Sequence, residues 1–139
     1  TGSCVVCAYV EDPLLLPCPL PASATCSSAE ATLFKVDLRL YVLATRLERP
    51  MEVFLHEQGL VRYAPFPYSA DESELTNCGV HLTYIRARDK GLYARTRHRN
   101  CRLSDLREFL RGTRGAEVEA TMWEDIGEVI FETLQSAPP

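Results

Sequence analysis

The chain has 139 residues, 46% of them apolar and 24% charged, with a formal net charge of −4; this is the composition of one globular domain or of part of a larger one. No run approaches the roughly 20 apolar residues that cross a bilayer, and the acidic balance argues against a general nucleic-acid binder. The sequence opens at Thr1 inside an apolar run, with no basic and apolar leader, and so reads as a piece of a longer chain rather than a secreted precursor.

Cys4–Val10 (Cys-Val-Val-Cys-Ala-Tyr-Val) reads as a buried strand that Glu11-Asp12-Pro13 ends. Residues 17–33 hold Pro17, Pro19 and Pro21 followed by small polar residues. They have too few large apolar groups to pack, so a disordered insertion is expected there. From Lys35 to Val42 the polar Lys35, Asp37, Arg39 and Tyr41 alternate with Val36, Leu38, Leu40 and Val42. A strand over Val36–Ala44 then has one apolar face and one that carries an ammonium, a carboxylate and a guanidinium in a row. A solvated strand face gives such alternation too. The aliphatic richness, however, points to a strand inside a sheet, where charges must be paired or must meet a ligand.

Met51–His56 and Leu60–Ala64 read as a hairpin turning at Glu57-Gln58-Gly59, with Gly59 free to take positive φ. Val80–Ile85 reads as a shorter strand. A helix is expected over Asp105–Arg111, with Ser104 at its N-cap and Gly112 as its stop. A longer helix runs from Glu117 to Ser136 before Pro138-Pro139. Its Val118, Met122, Ile126, Val129, Ile130 and Leu134 recur at helical spacing, as an ordinary core stripe does. Strands precede helices, which gives an α+β fold, a largely antiparallel sheet followed by helices.

Six cysteines, at 4, 7, 18, 26, 78 and 101, admit a zinc site at Cys4, Cys7, Cys18 and Cys26. The first pair sits in a valine-rich strand instead of on a turn, and scattered buried thiols fit better. Between Arg86 and Arg114 ten Lys or Arg stand against three Asp or Glu, a local basic surface suited to acidic peptides or a solvated loop. No phosphate-binding glycine loop, H-E-x-x-H or G-x-S-x-G occurs. The best chemical cluster is Lys35, Asp37, Arg39, Arg62, His81 and Thr83. A lysine offers a point charge and an arginine a bidentate fork to phosphate or carboxylate, with Asp37 ionised between them.

Four blocks in order resemble the tubulin–tyrosine ligase-like family: Val5–Leu16, Lys35–Leu43, Gly59-Leu60-Val61-Arg62-Tyr63-Ala64, and His81-Leu82-Thr83. The finer likeness is to its polyglutamylase members, carried by Ser73-Glu74-Leu75 and by Leu106-Arg107 through Thr113-Arg114-Gly115 to Glu117-Val118. The resemblance implies the central part of an ATP-grasp domain, spanning residues 1–139. It also implies ATP-dependent joining of free L-glutamate to glutamate side chains on the tubulin C-terminal tail. ATP and Mg2+ are then cofactors, other subunits of a polyglutamylase complex are partners, and the setting is the cytoplasm and cytoskeleton, including the cilium or basal body.

By the same resemblance, Cys7, Ala8, Tyr9 and Val10 match the interdomain stretch whose backbone faces the adenine. Lys35 matches the lysine on ATP, Asp37 its neighbour in the nucleotide pocket, and Thr83 a further nucleotide contact. Arg62 matches an arginine that meets the free amino acid. This chain departs from the pattern at Cys7-Ala8, where the family has Gln followed by Lys or Arg, at Val36, where it has Phe, and at Tyr84, which takes the place of an asparagine in the same pocket. The metal-binding acidic residues are expected beyond Pro139, so the stretch by itself is expected to be inactive. A catalytically degenerate relative that binds microtubules or a partner is the alternative.

Overall fold

The structure is a computed structural model and describes residues 8–18, 32–84, 91 and 100–136. Among these, six strands run in chain order: β1 (Leu15–Pro17), β2 (Leu33–Arg39), β3 (Val42–Arg46), β4 (Glu52–Leu55), β5 (Leu60–Tyr63) and β6 (Cys101–Arg102). The helices are α1 (Cys78–His81), α2 (Leu103–Arg114) and α3 (Ala116–Ser136). Four strands form one antiparallel sheet in the order β1-β2-β5-β6, and β3 and β4 form a separate pair. The α+β reading therefore stands.

The alternation along β2 sorts its side chains as expected. Phe34 is buried and Val36 and Leu38 pack beside it, together with Leu16, Val61 and Tyr63 from the neighbouring strands. Leu103, Leu106 and Leu110, at helical spacing on α2, close this face of the sheet. Each large apolar side chain buried here contributes about 1.5–3 kcal/mol. Tyr63 is fully buried, and its hydroxyl donates to the Pro17 carbonyl at 3.2 Å. Burial pushes that hydroxyl well above its usual pKa, so it stays a donor. With α2 on one face, the opposite face of β2 and β5 is left for Lys35, Asp37 and Arg62.

Pairing differs from the local reading in three places. The strand expected over Val36–Ala44 breaks at Leu40-Tyr41, and Val42 and Leu43 are exposed instead of buried. The hairpin partner of β4 is β3, not β5. Its turn is held by Arg46, whose Nε donates to the Pro50 carbonyl at 2.6 Å, and by Thr45, whose hydroxyl donates to the Glu52 carboxylate at 2.7 Å. β5 goes to β2 because only that pairing sets Val61 and Tyr63 beside Phe34 in the core. Gly59 does not have positive φ, which among the described residues occurs only at Gly115. A Cβ at Gly59 would lie 2.8 Å from the Arg39 carbonyl oxygen, so close backbone approach is what requires glycine there.

The strand expected over Val80–Ile85 does not form over its described part: Val80 and His81 belong to the single turn α1, and residues 82–84 lie in neither strand nor helix. The Asn77 side chain accepts from the Gly79 N–H at 3.0 Å and starts that turn. Ala8–Val10, the described end of the first expected strand, lies outside any strand, whereas Leu15–Pro17 forms one. Pro17 and Leu33, at the two ends of the expected insertion, face each other in the β1–β2 ladder; residues 19–31 between them lie outside the described residues.

α2 starts earlier and ends later than expected. The Asp105 carboxylate accepts from the Arg102 N–H at 3.0 Å, and Gly115, with φ of 99°, provides the stop in place of Gly112. α3 forms over the expected residues, but its apolar stripe is not core. Only Met122 and Trp123 touch the cluster, while Val118 and Val129 are exposed. Ile126, Val129 and Ile130 line, with Leu38 and Leu40, an open groove of about 720 Å3.

The buried residue of α3 is Glu119, which takes Nε of Arg107 and Nη2 of Arg111, the latter at 3.2 Å, and so ties the two helices together. Two cations of the basic stretch are thereby consumed internally; residues 85–90 and 92–99 of that stretch lie outside the described residues. Arg107 first, and then Arg111, hold the Glu119 carboxyl below the usual carboxylate range. A depressed folded-state pKa gives stability that is complete above the unfolded value, about 4.3, and is lost as pH falls through the folded value. Glu119→Gln should therefore lower the melting temperature at pH 7, with the gap to the parent chain closing below about pH 4. Thermal unfolding across pH 3–7 checks this, and a gap of constant size would refute it.

Candidate functional site

On the face of the sheet away from α2, Asp37 of β2 stands directly opposite Arg62 of β5. Arg62 Nε donates to Asp37 Oδ1 at 2.6 Å and Nη2 to Oδ2 at 2.8 Å, a bidentate clamp. α1 reaches this face because Phe66 N–H donates to the Gly79 carbonyl at 2.9 Å and because Gly79 has no side chain. A Cβ there would come within 2.3 Å of the Phe66 ring. The chain leaving α1 brings the Thr83 hydroxyl onto Asp37 Oδ2, to which it donates. It also brings the Tyr84 ring to 5.6 Å from the Arg62 guanidinium. Hydrogen bonding to Asp37 raises the pKa of Arg62 above its usual value, against the opposing effect of burial.

Lys35 lies two residues before Asp37, on the same face and about 6–7 Å along the strand. Its ammonium sits 4.1 Å from the centroid of the Tyr9 ring and, among the described residues, has no carboxylate partner. Tyr9 in turn shares a 2.7 Å hydrogen bond with Nδ1 of His81. His81 is 8% exposed and meets Tyr9 and Tyr68 edge-on, with centroids 5.6 Å and 5.8 Å away. Both cations of the site are thus backed by an aromatic face. A ring quadrupole attracts a cation without neutralising it, which leaves the Lys35 charge available to an anion, whereas the Arg62 charge is already paired with Asp37.

Of the residues singled out from sequence, Lys35, Asp37, Arg62, Thr83 and Tyr84 come together, and Tyr9 joins them through Lys35. Ala8 and Val10 flank Tyr9 and are exposed; Cys7 lies outside the described residues. Arg39, expected in the cluster, is exposed, and its guanidinium lies 5.7 Å from the Tyr41 ring centroid instead of on Asp37. Tyr68 was not foreseen. It follows Pro65-Phe66-Pro67 in a loop, and its backbone bond to Leu33, N–H to carbonyl at 2.9 Å, and its hydroxyl bond to the Glu11 carbonyl at 3.4 Å bring it beside His81. No local pattern signals that.

Cys18 and Cys101 are half-buried, and burial pushes the Cys101 thiol up in pKa, but Cys78 is exposed, against the expectation for scattered thiols. Cys4, Cys7 and Cys26 of the zinc alternative lie outside the described residues. Among the described residues no three His, Cys, Asp or Glu side chains converge as a metal site. The donors present instead suit an anion: the Lys35 ammonium and the part of the Arg62 guanidinium that Asp37 leaves unengaged, the Thr83 hydroxyl being given to Asp37.

Truncating Asp37 should cost stability as well as geometry. Asp37→Ala removes a charge-assisted pair worth about 1–2 kcal/mol, at the low end of its class because 35% of the Asp37 side chain remains exposed. Denaturant unfolding measures the loss, and no change would mean that the clamp is not formed in solution.

Relatives cover only part of this picture. The human tubulin polyglutamylase TTLL6 is 36% identical over 110 residues, 76% of this chain and 12% of that protein. The mouse tubulin monoglutamylase TTLL4 is 32% identical over 112 residues, 76% of this chain and 9% of that protein. A Tetrahymena thermophila protein described as "Probable alpha-tubulin polyglutamylase Ttll1" is 31% identical over 105 residues, 73% of this chain and 25% of that protein. The chain thus spans at most about a quarter of the length of these relatives. The model of the tubulin-tyrosine ligase family matches residues 1–138, the whole chain but its last residue. On that match, this chain belongs to the tubulin-tyrosine ligase family.

Proposed function

We propose that the chain is the central stretch of an ATP-grasp ligase that adds glutamate to glutamate side chains in the C-terminal tail of tubulin. Family membership and the polyglutamylase and monoglutamylase names of its relatives support the reading. The observation that carries it is the half-buried Lys35, free of any carboxylate among the described residues, beside the clamped Arg62 on one sheet face. The substrates are ATP, free L-glutamate and the tubulin tail. Mg2+ would supply charge stabilisation to the transferring phosphoryl group, and the residues that would hold it are expected outside this stretch. The rest of the reading is a cytoplasmic, cytoskeletal enzyme, at the cilium or basal body among other places, with further subunits of a polyglutamylase complex as partners.

The reaction joins two carboxyl-bearing molecules in two steps. The γ-phosphoryl group of ATP passes to the side-chain carboxylate of a tail glutamate, and ADP leaves. The amine of free glutamate then attacks the acyl carbon; a C–N bond forms, the C–O bond to phosphate breaks, and inorganic phosphate departs. In this scheme Lys35 neutralises charge that develops on the transferred phosphoryl group. Arg62 offers the unengaged part of its fork to the carboxylate of the incoming amino acid. Asp37 keeps Arg62 aimed, and Thr83 fixes Asp37.

In the full-length protein, Lys35→Ala should lower kcat/KM for ATP by about 10²-fold or more, the scale of losing one preorganised charge contact. Arg62→Ala should raise the KM for free glutamate by a similar factor. Labelled glutamate incorporation into tubulin provides the assay. Two variants of unchanged activity would refute the site, and a wild-type protein that binds microtubules without incorporating glutamate would establish the degenerate alternative.

A further inference from the structure

His81 sits at the centre of an arrangement whose purpose its own chemistry does not explain. It ends the four-residue helix α1 and is 8% exposed. Its Nδ1 is bonded to the Tyr9 hydroxyl at 2.7 Å. Its Nε2 is buried with no hydrogen-bond partner among the described residues, an arrangement that usually costs stability. The ring stands edge-on to Tyr9 at 78° and to Tyr68 at 84°. Tyr68 is anchored by its N–H to the Leu33 carbonyl at 2.9 Å and reaches the Glu11 carbonyl with its hydroxyl at 3.4 Å. A histidine so wedged helps to fix Tyr9, which belongs to no strand or helix and whose hydroxyl also meets the Tyr68 side chain. The face of Tyr9 carries the Lys35 ammonium at 4.1 Å.

We propose that His81 is a positioning residue for Lys35, acting through the Tyr9 ring. The hydrogen bond sets the tilt of the phenol, and the phenol face sets where the ammonium rests on its flexible stem. Without the wedge, Lys35 has four rotatable bonds and no other partner among the described residues to choose between its rotamers. The arrangement also couples the two halves of the site. α1 presents His81 to the Tyr9–Lys35 pair and, two residues later, Thr83 to the Asp37–Arg62 pair. The proposal rests on Lys35 being the contact for ATP.

The test uses the full-length ligase and reads the KM for ATP, the KM for free glutamate, kcat and the melting temperature. His81→Ala and Tyr9→Phe should each raise the KM for ATP by about 3–10-fold, the scale of losing one weakly held cation contact, and leave the KM for glutamate unchanged. The double variant should be no worse than the poorer single variant, because both remove the same support. His81→Asn keeps a polar atom near the Nδ1 position and should recover much of the ATP KM. Multiplying effects in the double variant would overturn the proposal. So would a lower melting temperature with an unchanged ATP KM while Lys35→Ala still raises it, since His81 would then be only a packing residue. An unchanged kcat/KM for ATP in Lys35→Ala would overturn the nucleotide reading itself, and the proposal with it. If His81→Ala does not fold, Tyr9→Phe, which removes a single hydroxyl, decides alone: an unchanged ATP KM refutes the proposal.

Discussion

Asp37 faces Arg62 across the antiparallel β2–β5 ladder, and the whole site depends on that register. A slip of β5 by one residue would turn Arg62 toward α2, away from Asp37, and turn Val61 and Tyr63 outward, because side chains alternate along a strand. Core and site are therefore two readings of one alignment. Burial of Phe34, Val61 and Tyr63 under α2 fixes it from one side, and the bidentate clamp confirms it from the other. Gly59 serves the same alignment. By letting the chain pass against the Arg39 carbonyl it starts β5 in the right place.

On the open face Asp37 and Arg62 neutralise each other, and the Lys35 charge is held without being cancelled by a carboxylate among the described residues. Asp37 is nearly saturated, with two bonds from Arg62 and one from Thr83. Lys35 and Arg62 are each backed by a phenol ring, from Tyr9 and Tyr84. A carboxylate on Lys35 would have quenched its charge; a ring face steadies it and leaves it positive. Tyr84 matters in this light. It stands where the family resemblance expects an asparagine, and it gives up amide contacts while supplying a stacking surface for Arg62.

Elsewhere charge is used for assembly. Glu119 draws Arg107 and Arg111 into the joint between α2 and α3, and Arg107 also lies over Trp123 at 4.7 Å. Part of the basic stretch is therefore internal glue and not a surface for an acidic partner. The apolar residues of α3 mostly face an open groove with Leu38 and Leu40, although their spacing is that of a core stripe.

Sequence alone determined the elements that rest on local periodicity. The two-residue alternation around Lys35 and Asp37, the helix of α3, and the α+β class were all legible, and the block resemblance identified the family. Long-range pairing was not legible. Whether β4 joins β3 or β5, and whether Val80 to Thr83 is strand or turn, depends on what lies opposite in space. The Phe66–Gly79 contact and the Asn77 cap decided the second case. The same holds within the site. Lys35, Asp37 and Arg62 could be read from strand patterns, but Tyr68 and the His81–Tyr9–Lys35 relay could not. Their partners are dozens of residues apart in sequence, and a one-dimensional pattern carries no distance between residues that only packing brings together.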